Sequence, residues 1–211
     1  MRMNMKHLKT LLLLFLLFLL ATQSVGIPSE PGMASPAAAA APQKPLVIYY
    51  SRLGTTRTIA REIARNLGSA IEEVISNENR HGLWTVNCVF DQLLDWDDDV
   101  VPLHHDPADY NPVIIAGPIW IHRLATPLRT LVKSLDLQGK DVYVLVTNQG
   151  NYSDKDENNV RTSIGKRGAA TRGYASILTK NKVESELRQE TLPVVEDLYR
   201  IFPRLRPPQG R

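Results

Sequence analysis

A strand-like run, a short polar loop and a helix start follow one another at Leu46–Thr58 (LVIYYSRLGTTRT), where this chain is best equipped for chemistry. The apolar run ends in Ser51, the loop is Arg52-Leu53-Gly54, and Thr55 and Thr56 open an amphipathic pattern. Backbone N–H groups in the first turn of a helix lack carbonyl partners and carry partial positive charge, which suits a phosphate. Ser51, Thr55 and Thr56 add hydroxyls, and Gly54 lets the backbone bend toward a ligand. Taken alone, the pattern also fits an ordinary strand-to-helix connection with a Thr cap.

Two more segments carry ligand-type side chains. Gly117-Pro118-Ile119-Trp120 follows an apolar run. An aromatic ring there is covered either by a flat ligand or by the next helix. An offset stack contributes about 0.5–1.5 kcal/mol beyond the area it buries. Thr147-Asn148-Gln149-Gly150-Asn151-Tyr152 holds amides, a glycine and a second aromatic, suited to the polar edge of a heterocycle. Phosphate loop, aromatic lid and amide-rich edge together describe a phosphorylated planar cofactor of mononucleotide type. A dinucleotide fits less well, because no Gly-x-Gly-x-x-Gly follows the first strand and no acid stands where a ribose reader is expected.

Histidines are the remaining candidates for chemistry. His104 and His105 are neighbours, and on a strand they would point to opposite faces, so no metal site is expected. His122, just after Trp120, is a candidate proton carrier over the site or else a solvated loop histidine. Asp95–Asp99 reads as a solvated turn, and Cys88 as a small buried apolar residue. No catalytic residue is assigned.

The elements that must position these loops alternate along the chain. Strands are expected at Leu46–Tyr50, Ala70–Ile75, Val113–Ala116, Asp141–Val146 and Tyr174–Leu178. Helices are expected at Thr56–Leu67 (closed by Gly68), Leu83–Leu94, from Thr126 (as N-cap) through Leu135, at Asp156–Lys166 (ended by Gly168) and at Val183–Ile201. This alternation implies an α/β fold with a parallel sheet covered by helices on both faces. In such sheets a ligand lies beyond the carboxyl ends of the strands, where all three loops begin.

The flanks read differently. Arg2, Lys6 and Lys9 precede an 11-residue apolar run, Leu11–Ala21, and small residues at Ser24-Val25-Gly26. Residues 1–26 are expected to be a secretory signal peptide, with an uncleaved anchor as the alternative and the only expected tie to a membrane. Residues 27–44 form a Pro/Ala-rich linker, and 203–211 a basic tail. The 158 residues of 45–202 are enough for one domain with a real core. The formal net charge of +3 vanishes with the three leader cations, so it gives no support to a nucleic-acid partner. Cys88 is the single cysteine, so no internal disulfide forms.

The chain resembles the flavodoxin-like family. Tyr50-Ser51-Arg52-Leu53-Gly54-Thr55-Thr56 resembles the family's phosphate loop, Ser/Thr-x-Thr-Gly-x-Thr. Residues 110–120 (YNPVIIAGPIW) resemble its third strand and first flavin loop, and Leu137-Gln138-Gly139-Lys140-Asp141-Val142 the start of its fourth strand. The resemblance implies a three-layer α/β/α domain with a five-stranded parallel sheet in the order 2-1-3-4-5, and FMN as cofactor. It places Ser51, Arg52, Leu53, Gly54, Thr55 and Thr56 around the phosphate. Pro118, Ile119, Trp120 and Tyr152 would lie against the ring, and Thr147, Asn148, Gln149 and Gly150 at its pyrimidine edge.

Leu53 stands where the family usually has Thr, removing one hydroxyl. The acidic rim common in the family is missing, which points to a different docking partner. The expected function is electron transfer outside the cytoplasm, with a redox partner protein or a small-molecule donor or acceptor. The alternatives are an FMN-dependent NAD(P)H:quinone-type oxidoreductase and a flavin-free binding module.

Overall fold

The computed structural model describes residues 44–77, 95–150 and 152–207, all within the compact unit Ala41–Arg211. The expected leader, most of the linker, the 83–94 helix, Cys88 and the end of the tail lie outside the described residues. Among the described residues no helix is long and apolar enough to cross a membrane.

The main strands are β1 (Leu46–Tyr49), β2 (Ala70–Glu73), β3 (Val113–Trp120), β5 (Asp141–Asn148) and β6 (Ala170–Leu178). A two-residue strand, β4 (Arg123–Leu124), follows β3. The helices are α1 (Thr55–Leu67), α2 (Thr126–Ser134), α3 (Asp154–Gly165) and α4 (Glu184–Ile201). The sheet order is β2-β1-β3-β5-β6, all parallel, and β4 pairs antiparallel with the end of β3. The five long strands therefore stand in the expected 2-1-3-4-5 arrangement.

Strands buried on both faces read as unbroken apolar runs because successive side chains enter opposite layers. Val47, Tyr49, Ile114, Ala116, Tyr143 and Leu145 meet α1 and α4 on one face. Leu46, Ile48, Val113, Ile115, Val142, Val144 and Val146 meet α2 and α3 on the other. Helix α1 turns Ile59, Ala60, Ile63, Ala64 and Leu67 inward and closes on Gly68 in the left-handed region (φ 58°), as its sequence anticipates.

β6 begins at Ala170, ahead of the expected Tyr174, and β2 ends at Glu73, short of Ile75; three further boundaries differ from expectation for identifiable reasons. β3 continues through Gly117–Trp120 because β4 folds back on it and pairs Ile119 with Leu124 and Trp120 with Arg123. β5 likewise runs on through Thr147 and Asn148, which pair with Ile177 and Leu178 of β6. Helix α2 is capped by Ala125 rather than Thr126, which opens the helix itself.

Polar side chains fasten the edge of the sheet. Arg57 of α1 grips Glu73 of β2 through two bonds (3.1 and 2.6 Å), and the Tyr49 hydroxyl donates to the same carboxylate (2.9 Å). Glu72, with its side chain 9% exposed, accepts the backbone N–H groups of His104 and His105 (2.5 and 2.9 Å). Both imidazole Nδ1 atoms also face it, at 3.1 and 2.8 Å. The histidines lie in a loop, not on a strand, so both rings reach one carboxylate. Burial pushes the Glu72 carboxyl up, but the His104 and His105 donors outweigh it and hold it below the ordinary carboxylate range.

A carboxyl lowered in the folded state stabilises above its unfolded value and loses that stabilisation as pH falls through the folded one. Glu72→Gln is therefore expected to destabilise the protein by about 1–2 kcal/mol at pH 7. The deficit should shrink below the ordinary glutamate value of 4.5. Denaturant melts at pH 7 and pH 3 check this, and equal deficits at both would refute it.

The Asp95–Asp99 segment is more than a solvated turn. Asp95 meets Arg123 (3.1 Å) and Lys133 (3.3 Å), and Asp98 is buried, accepting from Ser76 Oγ (2.8 Å). Its backbone N–H donates to Thr130 Oγ1 (2.9 Å).

Candidate functional site

The three loops converge at the carboxyl ends of β1, β3 and β5, which are adjacent in the sheet. The β1–α1 loop is built around Gly54, which caps α1 at φ 91° and donates its N–H to Ser51 Oγ (3.1 Å). Few residues other than glycine adopt that φ without strain. A Cβ placed on Gly54 would meet nothing within 4 Å, so the glycine is required by its backbone angle and not by crowding. The helical ladder begins only at Thr58, whose N–H reaches Gly54 O (3.0 Å). The N–H groups of Thr55, Thr56 and Arg57 thus precede any intrahelical bond.

Side chains of this loop divide. Arg52 is exposed and Leu53 is 75% exposed, while Ser51 and Thr56 are buried. Thr56 Oγ1 and Thr147 Oγ1 bond each other at 2.9 Å, tying the start of α1 to the end of β5. Thr56 therefore acts as a clamp between two of the loops as well as a hydroxyl of the first.

Trp120 is partly buried at the end of β3 and meets the Tyr50 ring edge-on, with centroids 5.8 Å apart and planes at 86°. Pro118 and Ile119 are also partly buried, and Pro118 O accepts from Ala125 N (2.9 Å). Tyr152 stacks on Tyr174 (6.2 Å, 24°), and its hydroxyl lies 3.3 Å from Glu157 Oε2.

The amides of the third loop turn toward β6. Asn148 Nδ2 donates to Ser176 Oγ (2.8 Å), and its Oδ1 accepts from Gly150 N (2.9 Å). Gln149 Nε2 donates to Thr179 Oγ1 (3.1 Å). These contacts shape the loop, and the Asn148 carbonyl is likewise engaged, accepting from Thr179 N (2.9 Å) and Thr179 Oγ1 (3.1 Å).

One partnership escaped the sequence reading. His122, on the β3–β4 turn, places Nδ1 2.7 Å from Asp156 Oδ1 in the first turn of α3. The two are 34 positions apart, and only the crossover through β5 brings them together. A separate cavity of about 500 Å³ lies between α2 and α3, lined by Arg129, Lys133, Ser163, Lys166 and Arg167. It shares with the loop region only Arg123 and Leu124 of the β4 turn. Among the described residues no group of side chains is arranged to hold a metal ion.

A doubly wound parallel sheet in this order, with an open glycine-capped loop after its first strand, defines a flavodoxin-like fold. No protein-family model matches the chain, and no curated protein matches it in sequence. Solved structures match it in fold. A flavoprotein in complex with FMN from Lactobacillus acidophilus NCFM aligns with a TM-score of 0.54 at 20% identity, covering 64% of this chain and 93% of that one. The apo form of the flavoprotein from the same organism gives 0.53 at 20%, covering 65% and 93%. A protein put forward as a flavoprotein, from Bacteroides uniformis ATCC 8492, gives 0.56 at 20%, covering 71% and 98%.

Proposed function

We propose that the chain binds FMN across the carboxyl ends of β1, β3 and β5 and acts in electron transfer outside the cytoplasm. The observation that carries this reading is the β1–α1 loop. Its glycine cap and buried Ser51 leave the N–H groups of Thr55, Thr56 and Arg57 ahead of the helical ladder, the type of donor set that suits a phosphate. The FMN-bound L. acidophilus flavoprotein, similar in fold, supports it. The backbone from Leu53 to Arg57, with Ser51 and Thr55, would hold the phosphate. Trp120 and Tyr152 would lie against the ring, and Asn148, Gln149 and Gly150 would meet its polar edge. The bound flavin supplies the redox chemistry, and the protein supplies binding, orientation and exclusion of water. Export rests on the leader-like first 26 residues.

Titration of the protein with FMN, followed by flavin fluorescence, tests the proposal. Quenching at micromolar protein is expected, and its absence would leave a flavin-free module on the same fold. Trp120→Ala is expected to weaken FMN binding about 5–10-fold, the equivalent of one lost aromatic stack. An unchanged affinity would remove Trp120 from the ring. The second reading, a two-electron oxidoreductase, is favoured by one observation, the pairing of His122 with Asp156.

A further inference from the structure

We propose that the cavity between α2 and α3 binds a small molecule carrying two phosphate groups. The proposal stands apart from the flavin reading, since only Arg123 and Leu124 of the β4 turn belong to both regions. Arg123, Arg129, Lys133, Lys166 and Arg167 line the cavity, and Asp95 is the one carboxylate among its lining residues. Its volume of about 500 Å³ is that of a small-molecule site.

This concentration of charge is local. Without the three leader cations the chain has no formal net charge, so the cavity is not one patch of a generally basic surface. The facing helices do not offset it. Helix α2 carries no acid, and the acids of α3 are confined to its first turn, at Asp154, Asp156 and Glu157. Asp97 reaches Lys133 from outside the lining (2.6 Å). The surplus is therefore four positive charges among the lining residues and three when Asp97 is counted.

Helix capping explains part of the pattern. Arg167 Nη1 donates to Lys133 O (2.7 Å) near the end of α2, and Lys166 stands just past α3, where a cation offsets the helix dipole. Arg123 and Arg129 have no such role. Arg123 is on β4, and Arg129 lies within α2 and is only 5% exposed. Burying a guanidinium is costly unless acceptors and anions surround it. Arg129 Nη2 donates to Trp96 O (2.6 Å), and its Nε lies 3.6 Å from Asp95 Oδ1.

Asp95 shows what these cations are arranged to accept. Its single carboxylate faces Arg123 (3.1 Å), Arg129 (3.6 Å) and Lys133 (3.3 Å) at once. Burial pushes its carboxyl up, but Lys133, Arg129 and Arg123 outweigh that and hold it below the ordinary carboxylate range. An oxyanion of the chain thus already sits among three of the cations. Lys166 Nζ has no hydrogen-bond or ion-pair partner among the described residues, and Arg167 has no carboxylate partner among them.

Size and charge together select the ligand class. A phosphate monoester carries about −1.5 to −2 at pH 7, so two of them match a surplus of three to four. Carboxylates would need more groups in the same space. Arginine forks and lysine point charges both suit phosphate oxygens. Leu124 and Val160, both buried, add apolar wall, which strengthens the field of the cations inside.

Calorimetric titration of the full chain with inorganic pyrophosphate, at low ionic strength, tests this. One-to-one binding that weakens with salt is expected, and its absence would overturn the proposal. Lys166→Gln should weaken binding about tenfold, the loss of one charge-assisted hydrogen bond. Arg61→Gln, on the exposed face of α1 across the sheet, should leave it unchanged. Equal weakening by both would reduce the effect to overall charge and overturn the site. Asp95→Asn should tighten binding about fivefold, because the carboxylate competes for the same cations. Asparagine tolerates the left-handed backbone of this position (φ 55°), so the variant keeps its turn. A variant that binds no tighter would place the anion elsewhere. Citrate should bind about tenfold more weakly than pyrophosphate, and equal affinity would overturn the phosphate class. Saturating FMN should leave pyrophosphate bound, whereas displacement by FMN would move pyrophosphate to the β1–α1 loop and overturn the cavity site. A chain that shows these variant effects and binds no FMN supports the cavity site and overturns the flavin reading alone.

Discussion

Asp156→Ala is expected to destabilise the protein by about 3 kcal/mol, lowering the Tm by roughly 6–12 °C. The magnitude follows from what the truncation leaves behind. The Ser153 N–H and hydroxyl and the His122 Nδ1–H all lose their acceptor where the carboxylate was fully buried. Each orphaned donor costs about 1–3 kcal/mol when water cannot reach it, though the half-exposed histidine can turn outward and recover part of that. The Ser153 N–H bond among these is also the reciprocal half of the α3 capping box. Asp156→Asn keeps one acceptor and should fall between wild type and alanine. Thermal melts by circular dichroism decide the matter, and an alanine variant melting within 2 °C of the wild type, by the same scaling, would mean that these contacts are water-compensated.

Gly173→Ala should destabilise by about 1–3 kcal/mol, the usual effect of forcing a methyl group into a filled core. An added Cβ would stand 2.4 and 2.5 Å from ring carbons of Tyr143 and 2.6 Å from Ile201 Cδ1. The partly exposed Ile201 can shift its terminal methyl, but the Tyr143 ring has no room to yield. The Tyr143 side chain is fully buried between the sheet and α4, and its hydroxyl donates to Asp197 of α4 (2.9 Å). Burial, reinforced by that carboxylate, pushes the Tyr143 hydroxyl well above the ordinary tyrosine range, so the phenol stays neutral and keeps donating. Tyr143→Leu combined with Gly173→Ala should recover part of the loss. Strict additivity of the two single changes in urea unfolding would show that the ring and the methyl group do not compete.

The order of elements was legible from the alternation of apolar runs and amphipathic stretches, because burial on both faces leaves strands such as Val113–Ala116 almost without polar residues. Helix α1 could be bounded from Gly54 and Gly68 alone, since both occupy the left-handed region their residue type favours. Strand length was less legible. Pro118 and Gly117 look like loop residues, and only the short antiparallel return of β4 makes them part of β3. The phosphate loop could be found from local sequence because its geometry is local. The amides of Asn148 and Gln149 were harder, since their orientation depends on Ser176 and Thr179 some thirty positions away. His122 could be singled out from its place beside Trp120, but its partner could not, because nothing in the residue types of Asp156 separates a buried acceptor from a solvated helix-start acid.

The outermost strand β6 has a consequence for how copies of this protein meet. A nine-residue strand at the rim of a sheet presents a ready template for another chain. Here the ladder slips between Val142/Thr171 and Tyr143/Gly173, leaving Arg172 as the surplus residue, its guanidinium engaged with Asp141 (2.6 Å). Such a kink with a cation upon it interrupts any straight run of unsatisfied amides. Strand addition at this rim of the sheet is thereby opposed.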